Sequence, residues 1–375
     1  MSFFARLNSE KSNTYGIYVV ERIIGAKPAG AARPKAVAAL PIALPAVHHV
    51  TVDEGSEGQR LDNFLVKLLK GVPKTHVYRV IRSGEVRVNK GRAGADTRLA
   101  IGDEVRIPPV RVADRSATLA APPREFTVVF EDEHLLAIDK PAGVAVHGGS
   151  GVAFGVIEQL RQARPHAKFL ELVHRLDKET SGLLLIAKKR SALVALQDQL
   201  RVHQGAKVIG KTYAALVVGV WPAKLKVIDV ALHKFLTPEG ERRVRAVADD
   251  HDAGRRSITL VKVAQAFAAF TLLDVTIKTG RTHQIRVHLT HEGHAIAGDE
   301  KYGDFALNKA LSRGEAVRGQ RFERMFLHAG HLRFEHPASG EVIELSAPLP
   351  AECQALLLAL AATRPAPGAA HPKKS

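Results

Sequence analysis

Cysteine is almost absent from this 375-residue chain. Cys353 stands alone, so no intrachain disulfide can form and a paired CxxC metal cage is excluded. That usage fits a reducing, intracellular setting. Long apolar runs are missing as well. The longest uncharged run near the start, Ala36–Val47, has 12 residues and is broken by Pro41 and Pro45. A membrane-spanning helix needs roughly 20, and the run lies too far from Met1 to read as a secretion signal. Acid is in short supply: 38 Asp and Glu stand against 54 Lys and Arg, a net charge of +16. With a membrane role disfavoured, that excess points to nucleic acid as the partner. Core-forming material is present in ordinary amounts, 46% hydrophobic and 25% charged residues. Wholesale disorder is therefore excluded, and the length allows two domains.

Residues 1–47 show no sustained period, and their Ala- and Pro-rich second half predicts a flexible extension. From Gln59 the pattern changes. Leu61, Phe64, Leu65 and Leu68 recur at helical spacing, with Gly71 as a stop. Pro73 opens a second helix with Val77, Val80 and Ile81 on one face. Short alternating runs at Glu85–Asn89 and Glu104–Ile107 follow as strands. Between Gln59 and Arg92 nine basic residues face only Asp62 and Glu85. A basic helix is often just a solvated face. Here Arg60, Lys67, Lys70, Lys74, Arg79 and Arg82 cluster on or beside two adjacent helices, which suits a phosphate backbone. This unit is assigned to residues 48–110, and the Pro- and Arg-containing stretch 111–124 reads as a linker.

Residues 125–350 mix strands (Phe126–Phe130, Leu135–Asp139, Leu183–Ala187, Tyr213–Val220, Leu272–Ile277, Leu327–Phe334) with helices (Val152–Ala163, Ser191–Val202, Thr282–His291). The irregular alternation predicts an α+β fold. Residues 351–375 are expected to carry a last helix, Glu352–Ala362, and a disordered tail.

Two segments carry most of the chemistry. His174-Arg175-Leu176-Asp177-Lys178-Glu179-Thr180-Ser181-Gly182 feeds an apolar strand. An Asp there often only caps a turn. The kinase order His-Arg-Asp-Leu is not met, and no Gly-rich loop or Asp-Phe-Gly accompanies it. In Thr279-Gly280-Arg281-Thr282-His283-Gln284-Ile285-Arg286, Gly280 ends a strand and opens a helix, placing Arg281 in its first turn. If Arg281 meets Asp177, the guanidinium keeps the carboxylate ionised and oriented. The alternative is that Arg281 and Arg286 meet phosphates. His283, His288, His291 and His294 match no metal-ligand template, so no metal is expected. The loop from His147 to Gly151 lacks both nucleotide-binding glycine patterns; it either approaches an RNA backbone or makes a tight turn. A glycoside hydrolase would want a second carboxylate beside Asp177, and none stands out.

These two segments resemble the signatures of the RluA family of pseudouridine synthases. Asp139-Lys140-Pro141-Ala142-Gly143, Lys211-Thr212-Tyr213-Ala214, Gly298-Asp299 with Tyr302-Gly303, and Leu327-His328-Ala329 agree with them in order and spacing. The stretch from Arg60 to Ile107 is similar to an S4 RNA-binding domain. Strings such as GQRLDNFL, VHGGSG and FLELVHRLD resemble the branch acting on large-subunit ribosomal RNA. The resemblance spans roughly His48 to Pro350. It implies a mixed, largely antiparallel sheet with flanking helices, no cofactor, and conversion of uridine to pseudouridine in 23S ribosomal RNA or its precursor. It implies Asp177 as catalytic group, Tyr213 against the uracil, Arg281 beside the aspartate, and Arg175 holding the target nucleotide out of its stack. Asp177 either adds to the ribose C1′ or assists glycal formation, and the resemblance leaves both routes open. A cytoplasmic monomer is expected. Two alternatives stay open: action on another RNA such as tRNA, and a non-catalytic ribosome-assembly protein.

Overall fold

The computed structural model describes residues 46–69, 72–110, 121–149, 152–201, 210–248 and 250–362. The predicted extension up to residue 45, most of the 111–124 linker, Lys70 and the tail after residue 362 lie outside the described residues.

The first unit follows its sequence pattern. Strand β1 (His48–Thr51) is followed by helices α1 (Leu61–Leu68) and α2 (Lys74–Arg82). Strands β2 (Arg87–Val88), β3 (Gly91–Arg92) and β4 (Glu104–Ile107) complete a sheet of order β1-β4-β2-β3. Leu61 and Leu65 on α1 meet Val77, Val80 and Ile81 on α2, and all five are buried with Val105 and Ile107 of β4. The helical spacing of these positions thus becomes one packed seam. The opposite face of α2 leaves Lys74, Arg79 and Arg82 exposed.

The larger unit is built on one ten-stranded sheet. Its strands are β5 (Thr127–Glu131), β6 (Leu135–Lys140), β7 (Glu171–Leu172), β8 (Ser181–Ala187) and β9 (Gly210–Val218). They continue with β10 (Val227–Asp229), β13 (Ile258–Ala266), β14 (Phe270–Ile277), β15 (Leu327–Glu335) and β16 (Val342–Ser346). Between them, β11 (Ala231–Leu236) and β12 (Arg242–Val247) pair as a separate hairpin. The main order is β10-β13-β14-β9-β15-β8-β6-β5. Only β8 and β15 run parallel among the described pairs, so the sheet is mixed and largely antiparallel.

Helix α3 (Val156–Ala163) precedes β7, α4 (Arg190–Arg201) follows β8, and α5 (Gln284–His291) follows β14. Helices α6 (Phe305–Arg313) and α7 (Ala351–Ala362) complete the fold. Strands β6 and β8 explain the layering. Leu136, Ile138, Leu184 and Ile186 enter one core with residues of α3, α5, α6 and α7. Their neighbours Leu135, Ala137, Leu183 and Leu185 enter a second core with Ala192, Leu193 and Leu196 of α4. A strand alternates faces at every residue, so a fully apolar strand must be covered on both sides.

Gly182 makes the β8–β15 junction possible. Its φ is +108°, and a Cβ there would lie 2.3 Å from the Ala329 carbonyl oxygen. Any other residue would clash with backbone, which accounts for the glycine ending the Asp177 segment.

Some expectations shift. The helix predicted from Val152 begins at Val156, because Val152 pairs back to Gly149 and Gly155 precedes the helix. The Glu158 carboxylate accepts the N–H groups of Gly148 (3.1 Å) and Gly155 (2.8 Å). One donor of the glycine-rich loop and the donor just before α3 are therefore satisfied within the protein. Strands β10 to β13 and β16 and helix α6 go beyond the sequence-based expectation. Their sequences are short, charged or half-exposed, so the apolar period that marks an element is weak.

Candidate active site

Asp177 sits in the loop between β7 and β8, and the α5 end of the second signature lies against it. Gln284, the first residue of α5, fixes that approach. Its amide oxygen accepts from Thr279 Oγ1 (2.8 Å) and the Arg281 N–H (3.1 Å). Its amide nitrogen donates to the Ile258 carbonyl and Thr259 Oγ1, both at 3.0 Å. A buried amide with both ends satisfied locks its segment in place. His283, just before it, adopts the left-handed region at φ +53°. A non-glycine residue held there stores strain, a feature concentrated at functional sites.

The guanidinium beside Asp177 belongs to Arg286, one turn further along α5. Its Nη1 lies 3.4 Å from Asp177 Oδ2. Its Nε and Nη2 bind the two oxygens of Asp299 at 2.8 and 2.7 Å. Arg281 lines the same cavity but is exposed, and no ion pair joins it to Asp177. The expected Arg281–Asp177 pair is therefore corrected to Arg286–Asp177. The helical turn carries Arg286 inward and leaves Arg281 at the rim. The same geometry corrects Arg286 as an RNA contact, since two carboxylates occupy its buried guanidinium.

Asp299 is 1% exposed and also accepts the Lys301 and Tyr302 N–H groups. Burial alone would raise its carboxyl, but Arg286 and those N–H groups outweigh it and hold the group below the ordinary value. Burial likewise disfavours the Arg286 cation, and the Asp299 pairing reverses the effect. Tyr302 supports the assembly. Its ring lies 5.0 Å from the Arg286 guanidinium carbon. Its hydroxyl accepts the Val244 N–H at 3.1 Å and is hydrogen-bonded to His283 Nδ1 at 2.8 Å. The other ring nitrogen of His283, Nε2, stands 3.9 Å from Asp177 Oδ2. Burial pushes His283 down to about 4, so it is uncharged at neutral pH.

A cavity of about 420 Å³ opens beside Asp177, walled by Tyr213, Lys211, His174 and the 279–286 turn. Tyr213 is buried with its ring in this wall, and burial first and the Asp177 charge second push its phenol upward. A second cavity of about 540 Å³ lies on the other side of Asp177, bordered by His147, Arg243 and Lys301. Exposed Arg175 borders both.

Lys140 has a structural part that its place in a matching string does not reveal. It is fully buried, and its ammonium donates to the carbonyls of Pro141 (2.8 Å), Val144 (2.8 Å) and Lys178 (3.1 Å). The last of these ties down the residue after Asp177. Burial pulls Lys140 down to about 7. No periodic signal marks such a residue, because a lysine at a strand end ordinarily reads as exposed.

The first unit holds its basic residues unevenly. Arg60 Nε and Nη2 turn onto Asp62 at 3.2 and 2.7 Å, and Tyr78 donates to the same carboxylate. Lys67 pairs with Glu171 of β7 at 3.2 Å and bridges to the larger unit. These two residues are taken up by carboxylates of the protein. Lys74, Arg79 and Arg82 remain exposed. Of the four clustered histidines, His283 serves Tyr302, His288 bridges Thr259 and the Val230 carbonyl, and His294 reaches the Val218 carbonyl. These three are engaged separately.

A mixed sheet carrying one loop carboxylate against a helix-borne arginine, behind a basic helical unit, defines an RNA-directed enzyme. Comparison with known proteins gives the family: the chain belongs to the pseudouridine synthases. Residues 134–291 match the RNA pseudouridylate synthase family, and residues 59–105 match the S4 domain. Ribosomal large subunit pseudouridine synthase C of Yersinia pestis is 48% identical over 322 residues, covering 84% of this chain and 96% of that relative. The protein of the same name from Escherichia coli K12 is 48% identical over 311 residues, covering 81% and 94%. Among solved structures, human RNA pseudouridylate synthase domain containing 4 aligns with a TM-score of 0.51 and 25% identity, covering 63% of this chain and 93% of that one.

Proposed function

We propose that this protein isomerises uridines to pseudouridine in large-subunit ribosomal RNA, with Asp177 as the catalytic carboxylate. The observation that carries the reading is Asp177 at the junction of two cavities, 3.4 Å from Arg286 and with Tyr213 on the adjoining wall. In this reading the target nucleotide leaves its stack, which costs a few kcal/mol. Its uracil enters the cavity beside Tyr213, and the flanking strand follows the second cavity past His147 and Arg175.

The C1′–N1 bond breaks and its electron pair stays on the base. Asp177 then either bonds C1′ or takes the C2′ proton. The base turns and C5 joins C1′ as the Asp177–C1′ bond breaks or, on the other route, as Asp177 returns the proton to C2′; C5 then loses its proton and N1 gains one. Arg286, fixed by Asp299, holds the Asp177 carboxylate in place.

The relatives' names supply the RNA class, and the exposed face of α2 supplies the means of gripping it. We divide the chain into an extension (1–47), an S4 arm (48–110), a linker (111–124), a catalytic domain (125–350) and a C-terminal helix with tail (351–375). A cytoplasmic monomer fits this role; among the described residues no helix is long and apolar enough to cross a membrane.

The test is Asp177→Asn, assayed by tritium release from unmodified large-subunit RNA carrying uridine labelled at C5. Release should vanish while the melting curve stays in place, because Asp177 makes only the long contacts to Arg286 and His283. A folded, active Asp177→Asn protein would refute the assignment.

A further inference from the structure

Lys211 lies two residues before Tyr213 on β9, so both side chains leave the same face of the strand and line the same cavity. Its ammonium stands against the turn at Gly280, where a Cβ would come within 3.7 Å of Nζ. No hydrogen bond or ion pair reaches it among the described residues. Asp177 is the one carboxylate among the described residues of that wall, and Arg286 holds it. On the neighbouring side stands His174, whose Nε2 accepts the Leu185 N–H at 3.2 Å. Burial lowers His174 to about 3, so it is neutral and supplies no counter-charge. Burial also lowers Lys211, to about 8, which leaves most of it protonated at neutral pH.

A sheltered ammonium without an acceptor is costly unless something outside the chain completes it. Arg175 and Arg281 stand exposed at the rim, where phosphates of the strand would pass. Lys211 stands deeper, beside Tyr213, where the base would enter. When C1′–N1 breaks, the bonding pair leaves with uracil, and the negative charge spreads from N1 over O2 and O4.

We propose that Lys211 is a catalytic residue that stabilises the detached uracil anion through its ammonium. This rests on the functional reading above. Lys211 gives up no proton in the step. It offers fixed positive charge at the carbonyl oxygens while the base turns, and the charge is discharged when C5 bonds C1′ and N1 takes up a proton. A preorganised charge of this kind acts on the transition state more than on the bound substrate.

The experiment compares wild type, Lys211→Met and Lys211→Arg on unmodified large-subunit ribosomal RNA labelled at uridine C5. Single-turnover tritium release at saturating enzyme is read with RNA affinity and thermal melting. Lys211→Met should lose roughly 100- to 1000-fold in the saturating rate, about the cost of deleting one charge-stabilising donor. Its RNA affinity should stay within about threefold, since the lysine meets the base and no phosphate. Its melting temperature should hold or rise, because an unpaired sheltered cation has been removed. Lys211→Arg should recover part of the rate. The wild-type rate should fall on the alkaline side as the ammonium discharges near 8, and this limb should be missing in Lys211→Met. His174, Tyr213, Asp177 and Arg281 face the lysine and are retained in both variants.

An unchanged rate overturns the proposal. So does a weaker affinity with an intact saturating rate, which would make Lys211 a phosphate anchor. Loss of rate in step with a lower melting temperature overturns it as well. A wild-type protein that releases no tritium removes the functional reading, and the role of the lysine with it.

Discussion

Replacing Arg286 by Met should strongly destabilise the protein, and the size of the loss follows from the hydrogen bonds that the guanidinium makes. Arg286 and Asp299 form a bidentate pair at 2.7 and 2.8 Å with the carboxylate 1% exposed. Removing the guanidinium leaves Asp299 buried with only the N–H groups of Lys301 and Tyr302 as donors. Breaking a buried pair from one side costs about 3–5 kcal/mol, because the remaining charge is uncompensated. A urea titration with an unchanged slope should show that loss directly. Lys at this position keeps the charge but not the fork, so Arg286→Lys should fall between wild type and Met.

The pH dependence has a definite sign. The Asp299 carboxyl is held below its ordinary value, so the pair's contribution is complete above the usual carboxylate range near pH 4. It is lost as pH falls through the depressed value, and Arg286→Met should lack that acid limb. The catalytic readout separates the two arginines. Arg286→Met should lower the saturating rate by roughly 100-fold or more, whereas Arg281→Met should keep it within about tenfold and weaken RNA binding instead. An Arg286→Met protein within about 1 kcal/mol of wild type would refute the energetic argument. An Arg281→Met protein with the larger loss of saturating rate would refute the assignment of the partner.

Lys140→Met should destabilise the protein by roughly 2–4 kcal/mol, because the Pro141, Val144 and Lys178 carbonyls lose their shared donor. Since the folded-state pKa of Lys140 is pulled to about 7 from 10.5, the unfolded chain binds more protons between those values. Wild-type stability should therefore rise with pH across that window relative to Lys140→Met, measurable by urea titration at several pH values. Gly182→Ala should fail to accumulate as folded protein, checked by circular dichroism, since φ +108° and the Ala329 carbonyl leave no room for a methyl group. Changing Lys74, Arg79 and Arg82 together to Gln should lower the salt dependence of RNA binding by about 2 in logarithmic slope, with the saturating rate kept. An unchanged slope would remove α2 as the RNA-facing surface.

Part of the fold is legible in residue order for a physical reason. Strands β6 and β8 contain the apolar runs Leu135–Ile138 and Leu183–Ala187, and α1 and α2 carry apolar residues at helical spacing; both patterns are burial written directly into the chain. Strands β11 and β12, with Lys234, Arg242, Arg243 and Arg245, offer no such pattern because little of the hairpin is buried. The site is legible as two segments but not as a pairing. Arg281 and Arg286 are both arginines of one signature, and only the position of the α5 start decides which faces inward. That start depends on Gln284 bonding to β13 and on the left-handed turn at His283, both tertiary facts. Lys67 misleads for a similar reason: its acidic partner, Glu171, lies 104 residues away in sequence.

The charges around Asp177 are divided unequally. Arg286 is shared, with short bonds to Asp299 and a longer one, 3.4 Å, to Asp177. Asp177 is therefore held by one longer contact, which suits the approach to C1′ or its neighbouring proton proposed above. Lys211 stands at the opposite extreme, with no acceptor among the described residues. A fold selected for stability alone would join such charges or replace them with apolar side chains, since unpaired sheltered ions cost free energy. Here Tyr213, the cavity and the rigid 279–286 turn hold them apart at fixed positions. The nucleotide entering that space brings an electron-poor C1′ towards the carboxylate and an electron-rich base towards the ammonium. Bond cleavage then develops the charges that each side lacks. The separated charges of the cleft and the stabilisation of the breaking bond are thus one electrostatic arrangement.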